Sequence, residues 1–178
     1  MAQDNNMLLS MKKIYKNFGH VEVLRGLDFE VGSNEIVGLV GDNGAGKSTL
    51  IKCITGVNTP TKGEIYYKGK KITIHSVKQS REMGIETVYQ ERALADQQTL
   101  WRNMFVGREI KNKLGFLDVR AQRRESEKIL RDHMGFTSKA ITVDSEVMFL
   151  SGGEKQGIAI GRALHFDADL IILDEPTM

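Results

Sequence analysis

One segment of the chain combines three glycines, a lysine and a serine at the spacing G-x-x-x-x-G-K-S/T. Its residues are Gly41, Asp42, Asn43, Gly44, Ala45, Gly46, Lys47 and Ser48, with Thr49 following. Glycines at these positions allow successive backbone N–H groups to turn inward and surround phosphate oxygens. Lys47 would add a positive charge at the outer phosphates, and the Ser48 hydroxyl would be a ligand for Mg²⁺. The spacing therefore predicts a nucleoside-triphosphate site in residues 41–48, called the phosphate loop below; a chance glycine turn is the plain alternative.

A second candidate lies where a short apolar run, Leu170–Leu173, ends in two carboxylates. A buried strand commonly delivers the residues at its carboxyl end to an active site. Asp174 would then hold the Mg²⁺ shell, and Glu175 would polarise a water molecule aimed at the γ-phosphate. Alone, the pattern would fit a polar loop after a core strand. Beside the phosphate loop, it favours a catalytic role for Glu175.

A third candidate is the segment 150–156, which reads LSGGEKQ. Ser151, with Glu154 three residues later, forms the pattern of a capping box at a helix start. Gly152 and Gly153 would expose the first N–H groups of that helix, which makes a second anion-binding helix end. An ordinary capped helix is the alternative. A second anion-binding helix N-terminus would have a function if it contacted the nucleotide bound by another subunit.

The elements that must position these motifs are short and alternate in type. Residues 8–31 have the period of two of a half-buried strand, and Glu35–Val40 has the continuous apolar character of a strand buried on both faces. A helix is predicted over Lys47–Thr55, closed by Gly56. Further predicted elements are a hairpin over 63–75, a helix over 76–83 and a strand over Ile85–Tyr89.

Beyond residue 91 the predicted strands disappear until the end of the chain. A charged helix is predicted after Asp118 to about Met134, ended by Gly135, with an apolar edge formed by Ile129, Leu130, His133 and Met134. A helix over 152–166 and a strand over 170–173 follow. This order predicts an α/β fold with a mainly parallel core sheet, an antiparallel β subdomain and an inserted helical subdomain.

Composition excludes several classes of protein. The 178 residues include 25 Lys and Arg against 23 Asp and Glu, so the net charge of +2 gives no strong electrostatic reason to expect nucleic acid or an anionic membrane as a partner. No apolar stretch approaches the length of a membrane span, and the first residues do not resemble a secretory signal. Cys53 has no second cysteine to pair with, and its apolar neighbours predict a place in the core.

The three motifs, in this order, resemble those of the ATP-binding subunits of ABC transporters. GDNGAGKST resembles their Walker A motif, LSGGEKQ their signature and LIILDEP their Walker B motif, and the resemblance extends from about Val21 to Met178. It implies a P-loop NTPase fold with ATP and Mg²⁺ as ligands. It also implies that Gln90 senses Mg²⁺ and the attacking water, and that Phe18 stacks on adenine. A loop amide and a strand core residue are the respective alternatives for these two residues.

Residues 83–110 are more narrowly similar to the bacterial importers of monosaccharides, particularly the fructose type. This similarity implies a homodimer that encloses two ATP molecules, each between one phosphate loop and the partner's Ser151, Gly152 and Gly153. It also implies that residues from about 91 to 110 receive a helix of an integral membrane permease, served by a periplasmic sugar-binding protein. The subunit would then be peripheral, on the cytoplasmic side of the cell membrane, with no nucleic-acid partner.

The resemblance also suggests boundaries. Residues 1–90 and 156–178 would form the nucleotide-binding core, and about 91–155 the helical subdomain with the signature. The family's D-loop and switch histidine follow the Walker B motif, and no histidine follows Glu175 here. We therefore expect the chain to be a partial ATPase domain that hydrolyses ATP poorly by itself.

Two other functions compete with the transport ATPase. One is a non-transport ABC ATPase that acts on nucleic acid or ribosomes. Such proteins usually have Asn after the Pro-Thr that follows the Walker B motif, or long coiled-coil insertions, and Met178 and the short 91–149 block argue against both. The other is a small-molecule kinase with a phosphate loop, which the 150–156 motif contradicts.

Overall fold

The computed structural model describes residues 7–89, 94–132 and 141–174 of the chain. The chain divides into two compact units, Met1–Glu86 and Thr87–Met178. The described elements in chain order are β1 (Met7–Phe18), β2 (Val21–Gly32), α1 (Lys47–Ile54), β3 (Lys62–Tyr67), β4 (Lys70–Ile72), α2 (Val77–Glu82), β5 (Ile85–Tyr89), α3 (Leu100–Phe105), α4 (Val119–Asp132), a 3-10 turn (Val147–Phe149), α5 (Gly152–His165) and β6 (Leu170–Asp174).

The first unit contains an antiparallel sheet of four strands in the order β2-β1-β3-β4. The predicted strands within 8–31 and the predicted hairpin are confirmed. The β3–β4 turn has positive φ at Lys68 (49°) and Gly69 (73°), the conformation that matches the twist of a two-residue hairpin. Strand β1 is bulged near Lys13, and a Cβ atom at Gly63 on β3 would lie 2.5 Å from the Lys13 carbonyl oxygen.

Helix α1 packs its apolar face into the first unit. Leu50, Cys53 and Ile54 are buried, so the predicted core position of Cys53 is confirmed. Burial raises the pKa of the Cys53 thiol, and the positive charge of Lys16 partly offsets this effect. The helix ends as predicted, with Thr55 at its C-cap and Gly56 following at φ 75°.

The prediction of a strand over Glu35–Val40 is wrong for the structure described. These residues belong to none of the strands in the described ranges, and the side chains of Ile36 and Val40 are fully or almost fully exposed, at 101% and 92%. A strand is held by hydrogen bonds to its neighbours, and no described strand provides them here. The apolar run indicates that these side chains could be buried in a sheet. It does not indicate whether a neighbouring strand is present to form that sheet.

The second unit is mainly helical, and its strand β6 pairs with β5 in a two-stranded sheet. The predicted helices at 118–134 and 152–166 and the predicted strand at 170–173 are confirmed over their described residues; His133, Met134 and Gly135 lie outside them. The apolar faces of α3, α4 and α5 share one core with the segment before α5. Its buried residues are Leu100, Trp101, Met104, Phe105, Ile129, Leu130, Val143, Val147, Leu150 and Ile158.

We find no helix in the described ranges that combines the length and the apolar character needed to cross a bilayer.

Candidate functional site

The phosphate loop enters α1 through a glycine that no other residue could replace without strain. Gly46 is the N-cap of α1 and has the left-handed conformation, with φ 91°. A Cβ atom at this position would lie 2.8 Å from Leu24 Cδ2, well inside van der Waals contact. Gly44 also has positive φ, at 86°, but a Cβ atom there would contact nothing within 4 Å. The positive φ angles favour glycine at both positions. At Gly46 the contact with Leu24 also leaves no room for a side chain.

The first turn of α1 presents backbone N–H groups that nothing in the helix itself satisfies. The first N–H to bond within the helix is that of Leu50, which donates to the Gly46 carbonyl oxygen at 2.9 Å. No side chain caps this end, and the first turn has no acidic residue. The N–H groups of Lys47, Ser48 and Thr49 therefore remain at the positive end of the helix dipole, where an anion is favoured.

The Lys47 ammonium closes the phosphate loop on itself. Its Nζ donates to the carbonyl oxygens of Gly41 at 2.5 Å and Asp42 at 2.9 Å. A further backbone bond, from Ala45 N–H to the Asp42 carbonyl oxygen at 3.1 Å, keeps the loop compact. The positive charge therefore lies at the loop, where it can exchange carbonyl oxygens for phosphate oxygens.

The Ser48 hydroxyl suits a hard cation such as Mg²⁺. Ser48 is exposed in the first turn of α1, beside the free N–H groups. The described residues contain no cluster of three or more His, Cys, Asp or Glu that could hold a metal ion. Mg²⁺ usually binds one or two protein oxygens together with substrate phosphates and water, so the hydroxyl fits a site completed by a nucleotide.

Phe18 is at the end of β1 and is not a core residue. Its side chain is 47% exposed, and the Lys16 ammonium lies 5.1 Å from the centre of its ring. The same ammonium donates to the Thr59 carbonyl oxygen at 2.8 Å. The aromatic ring is therefore available to a planar ligand, although stacking on adenine stays a prediction.

Helix α5 begins with the predicted capping box. Ser151 Oγ accepts from the Glu154 N–H at 3.3 Å, and the Ser151 N–H donates to Glu154 Oε2 at 2.7 Å. Gly152 and Gly153 are exposed, and a Cβ atom at either position would contact nothing within 4 Å. Neither φ nor space among the described residues requires glycine at these two positions.

A contact that the sequence did not reveal anchors this helix end. The Lys155 ammonium donates to Asp96 Oδ1 at 2.9 Å across 59 residues of sequence. The chain around Asp96 also pairs with the segment before α5, since the N–H of Met148 donates to the Asp96 carbonyl oxygen at 2.9 Å. The start of α5 is thus joined to the segment that follows Gln90 in sequence, and no spacing rule predicts a pair so far apart.

A second unforeseen contact lies further along α5. Arg162 donates from Nη1 to the Asn103 carbonyl oxygen at 3.3 Å and from Nη2 to that of Val106 at 3.1 Å. These are carbonyl groups at the C-terminal end of α3, where a cation is favoured by the helix dipole. Helix α5 is therefore fastened to α3 as well as to the chain around Asp96.

Three predicted site residues cannot be located in the same way. Gln90 and Glu175 lie outside the described residues. Asp174 ends strand β6, as predicted from the apolar run before it, but its side chain lies outside the description. Their roles remain predictions from the sequence.

Comparisons with known proteins identify relatives over most of the chain. Residues 24–178 match the profile of the family described as ABC transporter. The chain is 41% identical to the xylose/arabinose import ATP-binding protein of Sulfolobus acidocaldarius, over 96% of this chain and 66% of that protein. It is 40% identical to the fructose import ATP-binding protein of Rhizobium meliloti, over 99% of this chain and 69% of that protein.

Solved structures give the same result for the fold. A nucleotide-free ATP-binding cassette from an ABC transporter matches 97% of this chain and 70% of its own, with a TM-score of 0.78 and 26% identity. A cassette in its ADP conformation matches 96% of this chain, with a TM-score of 0.76 and 27% identity. The predicted α/β fold of a P-loop NTPase is therefore confirmed. The chain spans about two thirds of the length of these cassettes and of the two sugar-import relatives.

Proposed function

The chain belongs to the ABC transporter family, and on this premise we propose that it binds ATP with Mg²⁺ and hydrolyses it to drive the import of a monosaccharide. The observation that carries the proposal is the N-terminal end of α1. Its uncapped N–H groups, the left-handed Gly46 and the Lys47 ammonium together suit the terminal phosphates of a nucleotide. Residues 41–49 would bind the nucleotide, and Phe18 would stack on its base.

Hydrolysis would use residues from both ends of the chain. Ser48, Gln90 and Asp174 would hold Mg²⁺, which when bound neutralises charge on the phosphate oxygens. Lys47 would stabilise the charge that develops on the γ-phosphate. Glu175 would orient the attacking water and accept its proton, and Gln90 would help to position that water.

Two copies of the subunit would enclose two nucleotides. In this arrangement Ser151, Gly152 and Gly153 of one copy would face the γ-phosphate bound by the other. The open space around Gly152 and Gly153 supports the proposal, because it leaves room for a ligand held by the other subunit. ATP can close such a pair only if it binds the closed state more tightly than the open one.

The transported substrate would be a simple sugar. The relatives named above are import ATP-binding proteins for xylose/arabinose and for fructose, which favours import over the nucleic-acid alternative. Residues from about 91 to 110 would receive a helix of an integral membrane permease, and a periplasmic binding protein would deliver the sugar. The subunit would then lie on the cytoplasmic side of the membrane. Residues 1–90 and 156–178 would form the nucleotide-binding core, and about 91–155 the helical subdomain.

Titration of the 178-residue chain with a fluorescent ATP analogue and Mg²⁺ tests the nucleotide site. Replacement Lys47→Ala should weaken binding by about thirtyfold or more, because a charged hydrogen-bond partner of phosphate contributes roughly 2 kcal/mol or more. Lys52→Ala is the matched control, since Lys52 is an exposed lysine in the last turn of the same helix. Equal loss in both variants, or none in Lys47→Ala, would contradict the proposal.

The catalytic assignment needs the chain extended to the length of its relatives. There, Glu175→Gln should abolish hydrolysis while preserving ATP binding, so that ATP stabilises a dimer detectable by size-exclusion chromatography. Hydrolysis at the parent rate would show that Glu175 is not the base.

A further inference from the structure

The loop that joins α3 to α4 exposes large apolar side chains. Within residues 110–118, called the apolar loop below, Leu114 is 81% exposed and Phe116 is 69% exposed. Leu117 is 45% exposed in the same loop. Clustered exposed apolar side chains of this size mark an interaction surface more often than isolated ones do.

Several polar groups in the backbone of the apolar loop are bonded within the loop. Asn112 Oδ1 accepts from the N–H groups of Leu114 at 2.9 Å and Phe116 at 3.0 Å. The Asn112 N–H donates to the Phe116 carbonyl oxygen at 2.8 Å, and the N–H of Gly115 donates to the Asn112 carbonyl oxygen at 2.9 Å. The tip can therefore leave water without stranding these amides, which is the main cost of placing irregular backbone in an apolar phase.

Charges of both signs lie beside the tip, and the basic residues outnumber the acidic ones: residues 108–120 contain Arg108, Lys111, Lys113 and Arg120 against Glu109 and Asp118. Lys111 and Lys113 are exposed on the approach to Leu114. The nearby carboxylates are engaged locally: Glu109 Oε1 accepts from the Gly107 N–H at 3.0 Å, and Asp118 Oδ1 accepts from the Ala121 N–H at 2.9 Å. The backbone bond from Gly107 lowers the pKa of Glu109. The tip thus combines apolar side chains with flanking ammonium groups.

We propose that the apolar loop docks on the surface of an anionic bilayer. Leu114 and Phe116 enter the boundary between headgroups and acyl chains, and Lys111 and Lys113 face the lipid phosphates. An anionic lipid surface fits this tip because it accepts apolar side chains and attracts cations at the same time. The balanced net charge of the whole chain does not oppose this, because the field near a bilayer falls off within a Debye length and acts on local charges.

Sedimentation of the 178-residue chain with lipid vesicles, in the absence of nucleotide and with or without an integral membrane permease in the bilayer, tests the proposal. The chain should bind vesicles containing phosphatidylglycerol more tightly than vesicles of phosphatidylcholine alone, and added salt should weaken the binding. Phe116→Ser should weaken it by about tenfold, the effect of removing one buried aromatic side chain. Lys111→Gln and Lys113→Gln should each weaken it by about fivefold.

Phe149→Ser is the matched control, because Phe149 is a phenylalanine 78% exposed outside the apolar loop. It should bind vesicles as the parent chain does. The proposal is overturned if the parent chain ignores phosphatidylglycerol, or if Phe149→Ser and Phe116→Ser lose equal affinity. It is also overturned if only vesicles that contain a permease retain the chain, since the tip would then contact protein.

A labelled cysteine gives a second measurement that does not rely on loss of binding. Cys53 is buried, so a cysteine introduced by Leu114→Cys can carry an environment-sensitive dye selectively. Its emission should shift to the blue with anionic vesicles, whereas the same dye on Phe149→Cys should not shift. An unchanged spectrum at position 114, or equal shifts at both positions, would overturn the proposal.

Discussion

The helices α1 and α5 both begin at glycine-containing segments, yet their first turns are built in opposite ways. Helix α1 has no side-chain cap and no acidic residue in its first turn. Helix α5 has the reciprocal Ser151–Glu154 box, which bonds two backbone N–H groups and places a negative charge at the positive end of the helix.

This difference separates two ways of making a phosphate-binding helix end. The first N–H groups of α1 have no side-chain cap, because the left-handed Gly46 occupies the N-cap position and has no side chain to bond them. At the start of α5 the N–H groups of Ser151 and Glu154 are already bonded by side chains, and the Ser151 hydroxyl donates to Glu154, so a phosphate would compete with Glu154 for that hydroxyl. The phosphate contact proposed for α5 would therefore need another surface to bring the phosphate close, which suits the proposed site shared between two subunits.

The largest expected effect comes from adding one carbon atom to the start of α1. Gly46→Ala should lower the free energy of unfolding by about 3 kcal/mol, through left-handed strain and the clash with Leu24. Gly44→Ala, which has strain but no close contact, should cost only about 1 kcal/mol. Chemical denaturation followed by circular dichroism measures both. Equal costs would mean that the space beside Leu24 is not what selects glycine.

A smaller effect should follow from opening the cap of α5. Glu154→Ala should destabilise the chain by about 1 kcal/mol, because the Ser151 N–H loses its acceptor and the dipole loses a favourable charge. Glu154→Gln keeps an acceptor oxygen and should cost roughly half as much. Thermal unfolding of the two variants distinguishes the contributions. If neither changes stability, the box is not holding the helix start.

The smallest effect should have the opposite sign. Gly152→Ala should stabilise the isolated chain by ~0.5 kcal/mol, since the position has open space and alanine is the better helix former. In the protein extended to the length of its relatives, the same change should weaken the proposed ATP-dependent pairing of two subunits. If Gly152→Ala destabilised the isolated chain, glycine would be needed for stability at the start of α5 as it is at the start of α1, and the contrast between the two helices would be wrong.

Elements set by local chemistry could be predicted from the sequence. The capping box at Ser151, the glycine after α1 and the Lys68–Gly69 turn each depend on residues within four positions of one another. The phosphate loop belongs to the same class, because its glycines are required by its own φ angles. The contact between Gly46 and Leu24 excludes a side chain at position 46, and this contact cannot be predicted from the motif alone.

Features that depend on distant partners could not be predicted. The prediction of a strand over Glu35–Val40 was wrong because an apolar run describes one segment and not the strands that must lie beside it. The Lys155–Asp96 pair and the bonds from Arg162 to the end of α3 connect residues more than fifty positions apart. Only the packing of α3, α4 and α5 brings these groups together.

The position of Trp101 has a practical consequence. It is the one tryptophan in the sequence and lies 7% exposed in the core of the second unit, whereas Tyr15, Tyr66 and Tyr67 belong to the first. Tryptophan fluorescence, excited at long wavelength, will therefore report on the unfolding of the second unit. Tyrosine absorbance will report mainly on the unfolding of the first unit. A single sample can thus show whether the two halves unfold together or in sequence.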